Sequence, residues 1–241
     1  MNICVIPARG GSKRIPRKNI KEFNGKPIIA YSIEAAFESN CFDQVIVSTD
    51  DNEIKEVAKK YGAQVPFVRP EKLSNDSAGT IPVIKHAIEW MEQKNNYIKY
   101  VCCLYATAPF IKSKILTKAY QQLKDSSADY CFSVTSFTFP IQRAIKIVQD
   151  DKVEMFYPEY FNKQSQDLEE AYHDAGQFYW GKAQAFKDEL AVFSEVSSPY
   201  VLPRYLVQDI DTMEDWIRAE LMHKAIQNKL NHNHFATNIP F

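Results

Sequence analysis

Along the first 135 residues, short unbroken apolar runs alternate with stretches in which apolar positions recur every three or four residues. Asn2–Pro7, Gln44–Thr49, Tyr100–Tyr105 and Tyr130–Thr135 are mostly apolar or β-branched, the pattern of strands covered on both faces. Between them Ile28, Ile29, Ile33, Ala36 and Phe37 mark one helix. Further helices are predicted over 53–61, over 81–91 with Ile81, Ile84, Ile88 and Met91 on one face, and over 115–123. A short strand is expected at Val65–Val68. The alternation predicts an α/β fold: a three-layer, mostly parallel twisted sheet with helices on both faces, Rossmann-like in plan.

After about residue 136 the rhythm changes. Ala144–Val148 and Val153–Tyr157 flank Asp150-Asp151 as a hairpin would, and the polar, aromatic-rich stretch Pro158–Tyr172 has no period. Residues 137–172 therefore read as an excursion from the sheet that covers the site or pairs with a second subunit, their Phe and Tyr content being more than a monomeric loop should expose. The main fold is expected to resume with a strand at Gln177–Trp180, a helix at Lys182–Leu190, a strand at Tyr205–Val207 and a helix at Met213–Ile226. Residues 231–241 read as a loose tail on a single domain spanning 1–241.

Composition adds exclusions. With 29 Lys+Arg against 30 Asp+Glu the formal net charge is −1, which argues against a general nucleic-acid or membrane-surface binder. No stretch approaches the ~20 apolar residues of a membrane span, and Ile3–Ile6 is too short for a signal-peptide core, so a cytoplasmic protein is expected. Cys4, Cys102, Cys103 and Cys131 sit in apolar runs and are expected to be reduced core residues. His86 and His223 fall in amphipathic helices and are assigned to structure; His232 and His234 form no metal motif.

The charge is unevenly placed, however. Residues 1–26 carry +6 and the remainder −7. Five of the seven N-terminal cations (Arg9, Lys13, Arg14, Arg17, Lys18) lie with Gly10 and Gly11 in the loop Pro7–Asn19 after the first strand. Glycines let backbone N–H groups converge on one concavity while Arg and Lys neutralise anionic oxygens from the side, so this loop is a phosphate-site candidate. Its spacing fits neither G-x-x-x-x-G-K-[ST] nor G-x-G-x-x-G. Near the other end, Asp209 and Asp211 stand at i and i+2, so both carboxylates of an extended segment can reach one Mg²⁺. Thr212 and Asp215 have the spacing of a helix-capping pair.

Pro7–Asn19 followed by Lys26-Pro27-Ile28-Ile29-Ala30-Tyr31-Ser32-Ile33 resembles the opening of the cytidylyltransferases that activate sialic acid and related sugars. Ser48-Thr49-Asp50-Asp51, the stretch Arg69–Asp76 with Thr80, and Asp209-Ile210-Asp211-Thr212 extend the resemblance along nearly the whole chain. It implies a nucleotide-diphospho-sugar transferase-like fold and a CTP site formed by Arg9, Gly10, Gly11, Ser12, Lys13, Lys18 and Asn19, with Arg69 and Thr80 toward the cytosine. It further implies Mg²⁺ (or Mn²⁺) on Asp209 and Asp211, and catalytic roles for Arg9 and Lys13 at the phosphates and for Asp211 in deprotonating the acceptor hydroxyl. Related enzymes pair subunits through the excursion, so a homodimer is expected.

The acceptor would be a nine-carbon keto sugar acid. Tyr105-Ala106-Thr107-Ala108-Pro109 replaces the Gln-Pro-Thr-Ser-Pro of the sialic acid enzymes, and His173 with Ala175-Gly176 replaces their Arg and Asn-Gly. Tyr172–Trp180 resembles instead the bacterial pseudaminic acid branch, whose less polar substrate suits aromatic neighbours. Tyr105, Gln166, His173, Gln177 and Tyr179 are the sugar-facing candidates. Sialic, legionaminic and 3-deoxy-manno-octulosonic acids are the rival acceptors, and a non-catalytic nucleotide- or RNA-binding module is the rival class.

Overall fold

The computed structural model describes residues 1–231; the predicted tail and its two histidines lie outside the described residues. Six strands form the main sheet: β1 (Asn2–Pro7), β4 (Gln44–Ser48), β5 (Tyr100–Leu104), β6 (Tyr130–Ser136), β9 (Tyr172–Lys182) and β10 (Ser197–Val201). Their spatial order is β10-β6-β9-β5-β1-β4. Two small antiparallel pairs stand apart: β2 (Glu22–Phe23) with β3 (Lys26–Pro27), and β7 (Ile145–Ile147) with β8 (Val153–Met155). The latter is the predicted hairpin.

The helices are α1 (Ile28–Ser39), α2 (Asn52–Lys60), α3 (Thr80–Glu92), α4 (Ser113–Asp125), α5 (Ala183–Lys187) and α6 (Met213–Asn231). In the main-sheet strands other than the edge strand β10, alternate residues enter two different cores, which is why they read as continuous apolar runs. Cys4, Ile6, Val45 and Val47 pack with Ile33 of α1, Ala58 of α2 and Leu116 of α4. Ile3, Val5, Ile46 and Val101 pack on the opposite face with Ile84 and Ile88 of α3 and Phe186 of α5. The four cysteines expected in the core are buried, and all five are free thiols. Burial pushes the Cys131 thiol up to about 12.

The sheet is mostly parallel, as expected, and β9 alone runs antiparallel, to both β5 and β6. The chain leaves the carboxyl end of β6 for the excursion and re-enters from that same end, so without a crossover helix it can only run back. This strand also starts at Tyr172 rather than Gln177, and it includes Lys182, leaving α5 shorter than the expected 182–190. Val65–Val68 forms no strand beyond a single bridge from Gln64 to Ile46, because Pro66 and Pro70 lack ladder donors. Tyr205–Val207 forms no strand: Tyr205 and Leu206 lie in a one-turn 3-10 helix (Arg204–Leu206), and the sheet edge is taken instead by β10, where Pro199 is tolerated.

A third core decides where the site forms. Ile15 of the basic loop, Ile28 of α1, Phe110, Leu206, Ile210 and Trp216 of α6 bury one another. The N-terminal loop and the Asp209–Asp211 segment are thereby held side by side despite nearly two hundred intervening residues. Thr212 and Asp215 cap α6 reciprocally, Asp215 N–H donating to Thr212 Oγ1 at 3.2 Å and Thr212 N–H to Asp215 Oδ2 at 2.8 Å.

Trp180 of β9 is fully buried between the rings of Phe42 and Tyr120, at centroid distances of 4.8 and 4.7 Å. Trp180→Ala is expected to cost about 3–5 kcal/mol in denaturant unfolding, the weight of a large core cavity.

Candidate active site

β1 pairs with β4 on one side and β5 on the other, so the topological crevice lies beyond the carboxyl ends of these strands. A cleft of about 500 Å³ opens there. The loop after β1 lines it with Arg9, Ser12, Lys13, Arg14, Lys18 and Asn19. Arg69, Asn75, Asp76 and Thr80 close one wall, and Tyr105, Ala106 and Thr107 after β5 close another.

Every one of the five loop cations meets a carboxylate from elsewhere in the chain. Arg9 Nη1 and Lys13 Nζ converge on Asp76 at 2.8 and 2.5 Å. Arg14 Nη2 and Lys18 Nζ meet Asp211 Oδ1 at 2.8 and 3.4 Å. Arg17 forks onto both oxygens of Asp51, at 2.6 and 2.9 Å, and reaches Glu53 at 2.5 Å. Lys18 also donates to the Ile210 carbonyl at 2.7 Å, and Asn19 to the Arg9 carbonyl at 3.0 Å, which ties the loop to itself and to the carboxyl-terminal segment.

These pairs divide into two kinds. Asp51 is the N-cap of α2, accepting from Glu53 N and Ile54 N at 2.9 Å, and its Arg17 partner holds its carboxyl down at about 2. Arg17 itself sits at φ 57°, a left-handed conformation strained for a side chain with Cβ. Gly10 passes so close that a Cβ there would lie 2.7 Å from Asp51 Oδ2, while its N–H donates to Asp50 Oδ1 at 3.0 Å. Gly11 has open space around it. Arg17 is thus consumed in shaping the loop. Arg9 and Lys13 instead pair with Asp76 in the cleft wall, whose side chain is 53% exposed, and Arg14 reaches from the cleft to Asp211.

Arg69 is buried on the cleft wall, 3.7 Å from Asp50, with Nε and Nη2 lacking a hydrogen-bond partner. Burial lowers its basicity, against the pull of Asp50. A buried guanidinium facing a cleft with unspent donors is a ready contact for a ligand acceptor. Asp209 lies beside this assembly; partial burial and the charge of Asp211 raise its carboxyl above the usual range. Two neighbouring carboxylates, one already drawing an Arg and a Lys, form a hard oxygen donor pair of the kind a divalent cation takes. Among the described residues no group of three or more His, Cys, Asp or Glu gathers, so such an ion would complete its shell from ligand oxygens.

The five sugar-facing candidates separate. Tyr105 lines the cleft. His173 lines a second cavity of about 720 Å³ with Phe132, Val134, Phe193 and Val201. Tyr179 stands between the two, its ring edge-on to Tyr105 at 5.6 Å. Gln177 is buried and spends its amide on the Leu206 carbonyl at 2.5 Å, so it braces the wall from behind. Gln166 is exposed on a one-turn helix of the excursion and lines neither cavity. His223 is buried against Phe23, Tyr31 and Phe110, where burial lowers its pKa to about 4, a structural role as expected. Sequence reasoning had Arg14 among the loop cations and Asp76 at the end of the Arg69–Asp76 stretch, but it gave no separate role to Asp76, Asp174 or Phe193.

An open α/β sheet with a cationic cleft at its switch point and an acidic pair alongside is the arrangement that nucleotidyl transfer needs. The family model for cytidylyltransferases matches residues 3–227, and the chain belongs to that family. It is 50% identical over 224 residues to the pseudaminic acid cytidylyltransferase of Campylobacter jejuni (strain 81-176), covering 93% of this chain and 97% of the relative. It is 32% identical to the CMP-N,N'-diacetyllegionaminic acid synthase of Legionella pneumophila, covering 95% and 98%. Its fold is shared with a CMP:2-keto-3-deoxy-manno-octonic acid synthetase complexed with CTP, at TM-score 0.66 and 15% identity over 93% of this chain and 99% of that one.

The Arg17–Asp51 pair sets an acid limit on stability. Because the folded Asp51 titrates below its ordinary value, its contribution is present above about pH 4 and lost as pH falls toward 2. Asp51→Asn, which keeps the cap, is expected to flatten the decline in unfolding free energy between pH 5 and 2; an unchanged slope contradicts the assignment.

Proposed function

We propose that the chain transfers CMP from CTP to the anomeric hydroxyl of pseudaminic acid, releasing pyrophosphate. The observation that carries this reading is the pairing of a cation-lined cleft with an aromatic, largely apolar cavity across the Tyr105–Tyr179 wall. The cleft suits a triphosphate: Arg9 and Lys13, now held by Asp76, take the phosphate oxygens and neutralise the charge that grows on the leaving pyrophosphate. Arg69 and Thr80 lie toward the base, and Ser12 and Asn19 toward the sugar-phosphate.

The second cavity suits the acceptor. Phe132, Val134, Phe193 and Val201 offer apolar surface to acetamido and methyl groups, with His173 and Tyr172 beside them. The substrate of the Campylobacter relative, 50% identical, supports the same choice, while the Legionella relative at 32% makes the legionaminic isomer the nearest rival.

In the reaction the anomeric oxygen attacks the α-phosphorus and the bond to the β-phosphate oxygen breaks. The hydroxyl proton passes to a carboxylate, for which Asp211 is placed beside Arg14 and Lys18. Asp209 and Asp211 would hold Mg²⁺, or Mn²⁺, which when bound supplies charge neutralisation at phosphate oxygens. The basic loop orients the nucleotide, and the aromatic wall orients the acceptor.

A second copy of the chain completes this reading. Phe139, Ile145, Ile147, Val153 and Phe161 of the excursion are largely exposed, apolar surface that a homodimer would cover. Among the described residues no helix is long and apolar enough to cross a membrane, and the free thiols fit a reducing, cytoplasmic setting.

Pyrophosphate release from CTP with each acceptor tests the substrate directly. Pseudaminic acid is expected to exceed sialic, legionaminic and 3-deoxy-manno-octulosonic acids in kcat/KM by at least about tenfold, the weight of a few apolar contacts; equal or faster turnover of a rival overturns the assignment. Asp76→Asn is expected to tighten CTP binding about two- to tenfold by freeing Arg9 and Lys13 from exposed pairs. Weaker binding in calorimetry would mean that Asp76 holds the nucleotide itself.

A further inference from the structure

The cavity beside the start of β9 is walled mainly by Phe132, Val134, Phe193, Pro199 and Val201, and Asp174 is the one acid among the described residues that line it. Its carboxylate is half-buried, and both of its oxygens are already held. Gly176 N–H donates to Oδ1 at 2.9 Å, and the Tyr179 hydroxyl donates to Oδ2. Among the described residues no ion pair reaches it. The neighbouring His173 directs Nδ1 to the Asp174 carbonyl, at 2.8 Å, and not to the carboxylate.

An irregularity in β9 builds this placement. Residues 174 and 179 of a regular strand would face opposite sides of the sheet. Here the register against β6 shifts between Phe132, opposite Tyr179, and Val134, opposite Asp174, and Gly176 turns the backbone at φ 61°, in the left-handed region that favours glycine. The bulge thereby sets the carboxylate against the Tyr179 hydroxyl. Tyr179 in turn is fixed, its ring edge-on to Tyr105 at 5.6 Å and tilted against Phe132 at 5.8 Å.

A carboxylate oxygen can accept two hydrogen bonds, and each oxygen of Asp174 has taken one. What remains is an acceptor position on each oxygen of a negative group without a counter-charge, set in a mostly apolar wall. Such a group is satisfied by a donor that arrives with the ligand. An acetamido group matches both features of the cavity: its N–H supplies the donor, and its methyl has Phe132 and Phe193 to lie against. The same charge repels a carboxylate, so a keto sugar acid enters with its acid group and the adjoining anomeric hydroxyl toward the cationic cleft across the Tyr105–Tyr179 wall.

We propose that Asp174 is a specificity-determining residue for the acceptor: it accepts a hydrogen bond from the N–H of an acetamido substituent and turns the sugar's carboxylate end to the cleft. The inference deepens the reading of this cavity as the acceptor site and rests on it.

Steady-state turnover of the full chain with CTP tests it, comparing pseudaminic acid with its two analogues in which one or the other acetamido nitrogen is replaced by an ester oxygen. The parent is expected to favour the diamide over one of the esters about ten- to a hundredfold in kcat/KM, the weight of a hydrogen bond to a charged group. This comparison needs no substitution and stands even if a variant fails to fold. Asp174→Asn keeps the side chain's shape and an oxygen for Gly176, and should bring the diamide and that ester to within about threefold of each other. A merely structural role for Asp174 would lower all three acceptors together and leave their ratios unchanged. Equal parent turnover of diamide and both esters, or a preference that persists in folded Asp174→Asn, overturns the inference and leaves the cavity as the acceptor site. Replacing the largely exposed Phe193 reads that underlying assignment separately. Phe193→Ala should raise the acceptor KM at least about threefold with the KM for CTP unchanged; an unchanged acceptor KM overturns the assignment of the cavity, and this inference with it.

Discussion

Five cations within a thirteen-residue loop repel one another, and the structure depends on how that repulsion is contained. Each cation is met by a carboxylate from a distant segment: Asp51 and Glu53 at α2, Asp76 before α3, and Asp211 before α6. Part of the −7 beyond residue 26 thus meets the +6 before it, through Asp51, Glu53, Asp76 and Asp211. Exposed pairs contribute little singly, but with each cation in contact with one of four carboxylates the loop's repulsion is largely offset.

Matching alone does not place the loop, and here packing decides. Ile15 anchors it in the same core as Ile210 and Trp216, so the acidic pair arrives beside the cations through apolar burial. The strained Arg17 backbone and the tight Gly10–Asp51 approach are sustained by the capped start of α2. Rigid scaffold pairs hold the loop, while the cleft pairs are exposed enough to exchange a carboxylate for a phosphate.

Much of this was legible in the chain. Apolar runs in β1, β4, β5 and β6 read as doubly covered strands because both faces are buried, and the helices were found to within a few residues of their ends. What stayed hidden was non-local. Direction in β9 follows from where the excursion returns, and β10 hides behind Ser-Ser-Pro at an edge. At the site, residue types with a chemistry of their own stood out: the clustered cations, Arg69 and the Asp-x-Asp. Asp76 and Asp174 did not, since an isolated acid in a polar stretch carries no period and its meaning lies in its partner. Gln166 and Gln177 show the converse, positions suggested by resemblance whose side chains the fold turns outward or against the Leu206 carbonyl.

Under the proposed function Asp76 holds the place of substrate phosphate at Arg9 and Lys13, whereas the Arg17–Asp51 pair belongs to the scaffold. A crystal structure of the chain with CTP and Mg²⁺ tests it most directly. Phosphate oxygens are expected between Arg9 and Lys13, with Asp76 turned away from both and the Arg17–Asp51 fork intact. A triphosphate bound elsewhere with both cations still on Asp76 would contradict it.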